Sequence, residues 1–470
     1  MQFRTLQEVL IEGIGYHQTA QDTPSLMKQE RAELYRKAEY CYNHVLENQP
    51  EAPQTLANLG ALYAELGKTG IALALLYRAQ ELDPCWDNLN AIGAAYRRAQ
   101  NVPKAREYML KAYEINPESP VILSNLAGTY INEGNPEEAV KWSKLALERE
   151  PNNPNFALNY GLALLETGNF KEGWQWYDRG RENTTWTARD YGPDVKRWNG
   201  EPNKIVVVYG EQGVGDEILF ASCLPDLIKM SEAVVIDCHP RLVDVMARSF
   251  PDCIVQGTRK EEYIRWNPKD YGITHKVPIG SLPRFFRNER KDFPSISNYI
   301  QPDPEQVKAY KKPGLRVGLS WAGGTKATHV GLRSIDPRDL GPILNVPGID
   351  WVSLQYTNNA DLEVEKMRQE FGCRIEHDNE MNADLDKLFG CIAGLDLIVT
   401  VCTSVVHFAG AMNKKALVMT PIKSAWRYAV RPMPWYPQHE LILQKTEGDW
   451  NDVLHAIADR LEAMTAARAA

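Results

Sequence analysis

The sequence predicts an array of α-helical hairpin repeats followed by an α/β region built as two lobes. Three observations carry this. Prolines recur at a spacing near 34 through the first third of the chain. From residue 203 the period changes, and short β-branched runs alternate with helical stretches, the pattern of parallel sheets. A Lys-Lys-Pro-Gly turn at 311–314 splits that second region into halves that each open on a strand feeding a glycine-bearing loop. At 470 residues the chain is too long for one core, and the expected domains are 1–185, 186–310 and 311–470.

In the first domain the prolines stand at 50, 84, 117 and 151, and other positions fall into step with them. Gly60, Gly93 and Gly161 recur, with Ala127 in the same slot; Tyr63, Tyr96 and Tyr130 follow three residues later. Ala72, Ala105 and Ala139 come next, then Ala79, Ala112 and Ala146. This is the tetratricopeptide pattern: small residues let two helices approach, an aromatic fills the gap, and proline stops the second helix. Three clear repeats span 53–86, 86–119 and 120–153, with a fading fourth at 154–185 and a degenerate leader at 19–52. Such an array is either a spacer or dimerisation module, or a groove that binds a partner protein or peptide.

Strands are expected at 204–209, 233–238 and 253–256, then at 315–321, 351–355, 396–401, 415–420 and 441–444. Two Rossmann-like lobes facing a cleft fit this order, with binding at the carboxyl ends of the strands. In the first lobe Glu211, Gln212, Gly213 and Gly215 form a glycine loop leading into a helix. A dinucleotide fingerprint fails there: Ile218 stands where a third glycine belongs, and Asp216 and Glu217 put negative charge where a pyrophosphate would sit. Asp216 has two readings, a first-turn acid that favours the helix dipole and a carboxylate that deprotonates an acceptor hydroxyl.

In the second lobe the loop after 315–321 carries Lys326, His329 and Arg333, either a solvated basic loop or cations suited to a diphosphate. Thr403 and Ser404 sit at the start of a short helix, with His407 one turn on and on the same face. Taken singly these are a helix cap and a core histidine; together, at a strand's carboxyl end, they form an anion cradle. Trp426 and Arg427 lie in an aromatic, arginine-bearing segment that either packs around the last strand or walls the cleft, with Arg427 reaching phosphate.

Residues 203–450 resemble the glycosyltransferases related to the lipopolysaccharide heptosyltransferases, in the branch fused to tetratricopeptide repeats. The pieces are ordered: GEQGVGDEILFASCLPDL, GSLPRFF, NYIQP, VGLSWAGG, LRSI, WVSLQ (ending at Gln355), LDLIVTVCTSVVHFAGAM and WRYAV…PWYP. The resemblance implies a GT-B fold and a nucleotide-sugar donor held by the second lobe, at Lys326, Arg333, Gln355, Thr403, Ser404, His407, Trp426 and Arg427. It implies inverting transfer without a metal or cofactor. Asp216 matches the proposed base. Where the family carries an aspartate before Thr-Ser, this chain has Cys402, and a thiol replaces a carboxylate poorly as an acceptor.

The resulting expectation is a sugar transferase whose repeats recruit a protein or polymer acceptor. A non-catalytic repeat scaffold and a transferase acting on modified DNA bases are the alternatives. The net charge of −8 gives no general basic excess for nucleic acid: residues 1–185 hold 18 Lys and Arg against 24 Asp and Glu. Eight scattered cysteines without a Cys-x-x-Cys pair suggest reduced thiols. No apolar run reaches the ~20 residues of a membrane helix, and the opening residues lack an apolar signal core, so a cytoplasmic protein is expected.

Overall fold

The computed structural model describes residues 5–23, 28–181, 189–259, 261, 263–324, 330–381 and 383–469. They fall into two compact units. One runs to Leu164 and includes residues 179–181; the other comprises Leu165–Asp178 and the chain from 189 onward.

The first unit is a run of helical hairpins. The leader pair is α1 (Leu6–Asp22) and α2 (Lys28–Asn48). Three repeats follow: α3 (Pro53–Glu65) with α4 (Thr69–Leu82), α5 (Trp86–Arg98) with α6 (Val102–Ile115), and α7 (Pro120–Glu133) with α8 (Pro136–Arg149). A last pair, α9 (Pro154–Glu166) and α10 (Phe170–Arg181), is divided between the units. The small-residue positions work as their spacing implies. A Cβ on Gly60 would lie 2.7 Å from Leu76 Cγ, and one on Gly93 would lie 2.7 Å from Met109 Cγ. Ala72, Ala79, Ala105, Ala112, Ala139 and Ala146 are fully buried. The leader departs from expectation: its first helix begins at Leu6, not near residue 19. Its Thr5 capping box, which marks that start, uses a local signal and not the repeat period.

In the second unit the elements are β1 (Lys196–Arg197), β2 (Ile205–Tyr209), α11 (Val214–Ala221), α12 (Leu224–Met230), β3 (Ala233–Asp237), α13 (Val243–Ser249), β4 (Ile254–Gln256), β5 (His275–Pro278), α14 (Pro283–Phe286) and α15 (Pro304–Tyr310). They continue with β6 (Leu315–Ser320), α16 (Gly341–Leu344), β7 (Ile349–Ser353), α17 (Ala360–Phe371), β8 (Ile375–Glu376), α18 (Leu385–Gly394), β9 (Leu397–Val401), α19 (Ser404–Ala411), β10 (Ala416–Thr420), β11 (Glu440–Leu443) and α20 (Asn451–Ala469). They build two all-parallel sheets, ordered β1-β5-β2-β3-β4 and β11-β10-β9-β6-β7-β8. Strands β6, β9 and β10 are buried at every residue, as parallel strands covered on both faces must be. Their side chains join Trp321, Trp351, Ile343 and Leu454 in one core. At ~1.5–3 kcal/mol for each large apolar side chain removed from water, this burial is a major source of stability for the second sheet.

Three strands escape the sequence pattern. β1 and β8 have two residues each, and β5 reads His-Lys-Val-Pro; their strand state comes from pairing to β5, β7 and β2. The division near 165 also falls earlier than the boundary drawn at 185. The cause is burial: Trp174 is 1% exposed, with its indole N–H donated to the Arg287 carbonyl at 2.9 Å. Likewise α15, which precedes the 311–314 turn, packs on α18, where Gly390 leaves room for Gln306.

Each sheet has a topological switch point, where successive connections leave in opposite directions. In the first it lies between β2 and β5, in the second between β6 and β9. Crevices at the carboxyl ends of such strand pairs are the usual ligand sites of open α/β sheets.

Candidate functional site

At the first switch point the chain leaves β2 through Gly210 and Glu211. Glu211 is buried, and its carboxylate accepts the Gly280 N–H just past β5, at 3.2 Å. Gln212 adopts a left-handed φ of 59°. Arg259 holds it there by donating to the Gln212 carbonyl and to the Glu217 carboxylate. Glu217 is fully buried and also accepts the His239 N–H at 3.0 Å. Burial pushes its carboxyl up to about 7, against the opposing pull of Arg259. Gly213 then caps α11, with its N–H donated to Asp216 Oδ2 at 3.1 Å. Asp237, at the end of β3, is consumed internally. It accepts from Tyr191 at 2.7 Å, Arg189 at 2.8 Å and Thr258 at 2.9 Å.

At the second switch point β9 is followed by Cys402 and Thr403. The Thr403 hydroxyl caps α19 by accepting the Val405 N–H at 3.3 Å. The turn after β6 lies against Thr403, whose methyl occupies the space a Cβ on Gly323 would need. Tyr356, 40% exposed beyond β7, accepts the Gly324 N–H at 3.1 Å. Arg333 reaches the same corner and donates to the Cys402 carbonyl at 3.1 Å. Ser404 is half-buried at the helix start.

The two corners meet. A Cβ on Gly215 would lie 3.1 Å from Ser404 Cα and 3.2 Å from His407 Cδ2, so the glycine eases the close approach of α11 and α19. Arg427 spans the gap: it pairs with the Asp216 carboxylate, donates to Gln212 Oε1 at 3.3 Å and stacks on the Trp426 ring at 4.6 Å. Gln212 in turn donates to the Tyr177 hydroxyl at 2.8 Å. Trp426 lies edge-on to Trp174 at 5.4 Å and stacks on Phe220 at 6.4 Å. These ring pairs, each worth ~0.5–1.5 kcal/mol beyond burial, fix the segment that carries Arg427.

Several expected residues take particular roles. His407 is 4% exposed between Tyr428 and Tyr436. Burial, helped by Arg427, depresses its pKa to about 3, so it brings no positive charge to an anion. Its Nε2 lies 3.3 Å from the Tyr428 hydroxyl, and its Nδ1 has no partner among the described residues. Assigning Tyr428 as the donor leaves the neutral ring's proton on Nδ1. Arg427 Nε is likewise buried without an acceptor among the described residues. Gln355, fully buried, shapes the turn after β6: its amide oxygen accepts from Trp321 and Ala322 N–H at 3.0 Å, and its nitrogen donates to the Ala322 carbonyl at 2.9 Å. Cys402 turns its thiol toward the Met419 carbonyl at 3.9 Å, and burial pushes it up to about 12, a packing thiol and not a nucleophile. Lys326 and His329 lie outside the described residues.

Sequence reasoning missed Tyr177, Glu217, Arg259, Tyr356 and Tyr428 as parts of this site. Tyr177 falls in the last repeat-like helix, and Arg259 is 42 residues from Glu217; neither carries a local signal. Glu217 did carry one, a second acid beside Asp216 in the helix's first turn.

The molecule thus carries tetratricopeptide-type helical hairpins in its N-terminal part, followed by an α/β region of parallel sheets. Residues 58–120 and 121–153 match the tetratricopeptide repeat family. Along most of its length the chain is similar to the protein FlbA of Caulobacter vibrioides, 25% identical over 457 residues, which cover 89% of this chain and 74% of that one. Among solved structures it is similar to a thermophilic tetratricopeptide protein of Thermus thermophilus, at 18% identity, TM-score 0.34, 38% of this chain and 91% of that one. It is also similar to PilF of Pseudomonas aeruginosa, at 17% identity, TM-score 0.32, 48% of this chain and 84% of that one. No helix among the described residues is long and apolar enough to cross a membrane.

Proposed function

We propose that the α/β unit is a glycosyltransferase of GT-B type that moves a sugar from a nucleoside-diphosphate donor to an acceptor hydroxyl. The observation that carries this reading is the meeting of the two switch-point corners. One offers a carboxylate, Asp216. The other offers a helix N-terminus, Ser404, Arg333 and two buried nitrogens without partners among the described residues: Arg427 Nε, a donor, and His407 Nδ1, a donor in the tautomer in which Tyr428 donates to Nε2. Unmet buried donors are costly, ~1–3 kcal/mol each, and a diphosphate's oxygens would satisfy them. Helix dipole, guanidinium groups and neutral N–H donors would stabilise the leaving diphosphate.

In the step itself the acceptor oxygen bonds to the anomeric carbon while that carbon's bond to the diphosphate oxygen breaks. The acceptor proton passes to the Asp216 carboxylate, and the nucleoside diphosphate leaves with the bonding pair. The repeats serve partner recruitment, which suits a protein or polymer acceptor. Asp216→Asn keeps the Gly213 cap geometry but not the base. Transfer, followed as nucleoside diphosphate release with acceptor present, should fall ~10²–10⁴-fold; retained activity would sink the base assignment.

A second reading is favoured by one contact. The same Asp216 is tied to Arg427, and Cys402 stands in place of a carboxylate. A scaffold that keeps the fold without the reaction would look like this, and it predicts no sugar release with any donor.

A further inference from the structure

The Asp216–Arg427 contact joins the two groups that the reaction needs apart. Asp216 must be free to take a proton from the acceptor, yet its carboxylate is held in an ion pair with the Arg427 guanidinium. Arg427 must be available to phosphate, yet its Nη2 is given to Asp216 and Gln212. Both side chains are mostly buried, 20% and 16% exposed, so their pairing is little screened by solvent. The groups packed around Arg427 are the Trp426 ring, Tyr177, Tyr428, neutral His407, Gln212 and Asp216. Asp216 is the one carboxyl group among these residues.

Resting on the reading above, we infer that Arg427 is an exchange residue. In the empty site it neutralises Asp216, and an incoming donor diphosphate takes the guanidinium over and so releases Asp216 as the base. The geometry permits this without a large movement. Arg427 Nε is buried and unmet among the described residues. The side chain lies flat on Trp426, and Trp426 is anchored by Trp174 and Phe220, so the guanidinium can turn on a fixed ring. Asp216 keeps a second anchor, the Gly213 N–H at 3.1 Å, which holds the carboxylate at the mouth of α11 after its partner leaves. The base would then be active only when donor is bound, which limits donor-free chemistry at this site.

Exchange has a thermodynamic signature. If Asp216 and phosphate compete for Arg427, then Asp216→Asn, which cannot transfer sugar, should bind nucleoside diphosphate more tightly than the wild type, about five- to tenfold. Simple charge repulsion between Asp216 and phosphate would also tighten binding, so the effect must be measured in a second background. Uridine, guanosine and adenosine diphosphates are titrated calorimetrically to millimolar concentration into the full chain as wild type, Asp216→Asn, Arg427→Gln and the double variant. Melting curves report whether each is folded, and Arg427→Lys serves as a charge-keeping control.

The expected result is a gain from Asp216→Asn with arginine or lysine at 427 and none with glutamine, a coupling visible in the double-variant cycle. An equal gain in the glutamine background, no gain in the wild-type background, or an affinity indifferent to Arg427→Gln would each overturn the exchange while leaving nucleotide binding intact. No binding of any of the three diphosphates to any variant would overturn the transferase reading together with the exchange.

Discussion

His407 and Cys402 illustrate how burial rewrites a motif. The Thr-Ser-x-x-His spacing is legible in the sequence, and so is its place at a strand's end. That the histidine is neutral is not legible, because the rings that desolvate it, Tyr428 and Tyr436, lie 21 and 29 positions further along the chain. Nor does the sequence tell which way Cys402 faces. A depressed histidine pKa has a definite consequence for acid stability. The unfolded chain takes up a proton near pH 6.5, and the folded chain does so only near 3. Stability from this group is therefore present above 6.5 and lost as pH falls toward 3. His407→Asn should flatten the pH dependence of the unfolding free energy by ~1.4 kcal/mol per pH unit between pH 6 and 4, read from urea titrations. Comparison with the wild type cancels the opposing contribution of Glu217, raised to about 7. An unchanged slope would show that the ring is protonated in the folded state.

Elements were easiest to foresee where one interaction dominates. The repeats were visible because each hairpin reuses the same contact, a small residue facing the second helix. Gly93 and Gly128 separate the cases. A Cβ at 93 would meet Met109 Cγ at 2.7 Å and the Ala105 carbonyl at 3.1 Å, whereas at 128 the nearest atom is Arg97 Nη1 at 3.4 Å. Gly93→Ala should cost about 1–3 kcal/mol through overpacking; Gly128→Ala, a helix-interior site where the Cβ would make only ordinary contact with the Arg97 side chain, should gain ~0.5–1 kcal/mol. Denaturant midpoints of the two variants test the pair, and similar shifts for both would contradict the packing account. The long buried strands β6, β9 and β10 were visible for a related reason, their continuous apolar runs. By contrast β1, β5 and β8 exist through pairing with neighbours, and a two-residue strand has no period to detect. The crossing of α11 on α19 was equally hidden: Gly215 reads as a turn glycine, and Ser404 stands nearly two hundred residues away.

Over the whole molecule, the repeats and the α/β unit answer different questions. The repeats concern which partner is brought in, and their sequence pattern says little about its identity. The topology of the sheets is informative about where a ligand would sit. Both switch points coincide with loops singled out from residue types alone, Glu211–Asp216 and Thr403–His407. On the reading proposed above, the second of these corners receives the diphosphate of a nucleotide-sugar. That claim is tested most directly by thermal denaturation of the full chain with UDP-, GDP-, ADP- and CMP-sugars. One diphosphate donor should raise the melting midpoint, with stabilisation of ~2.7 kcal/mol at about a hundredfold excess over Kd, and the CMP-sugar, with a single phosphate, should not. A chain whose melting is unmoved by all four, or moved only by the CMP-sugar, would contradict it.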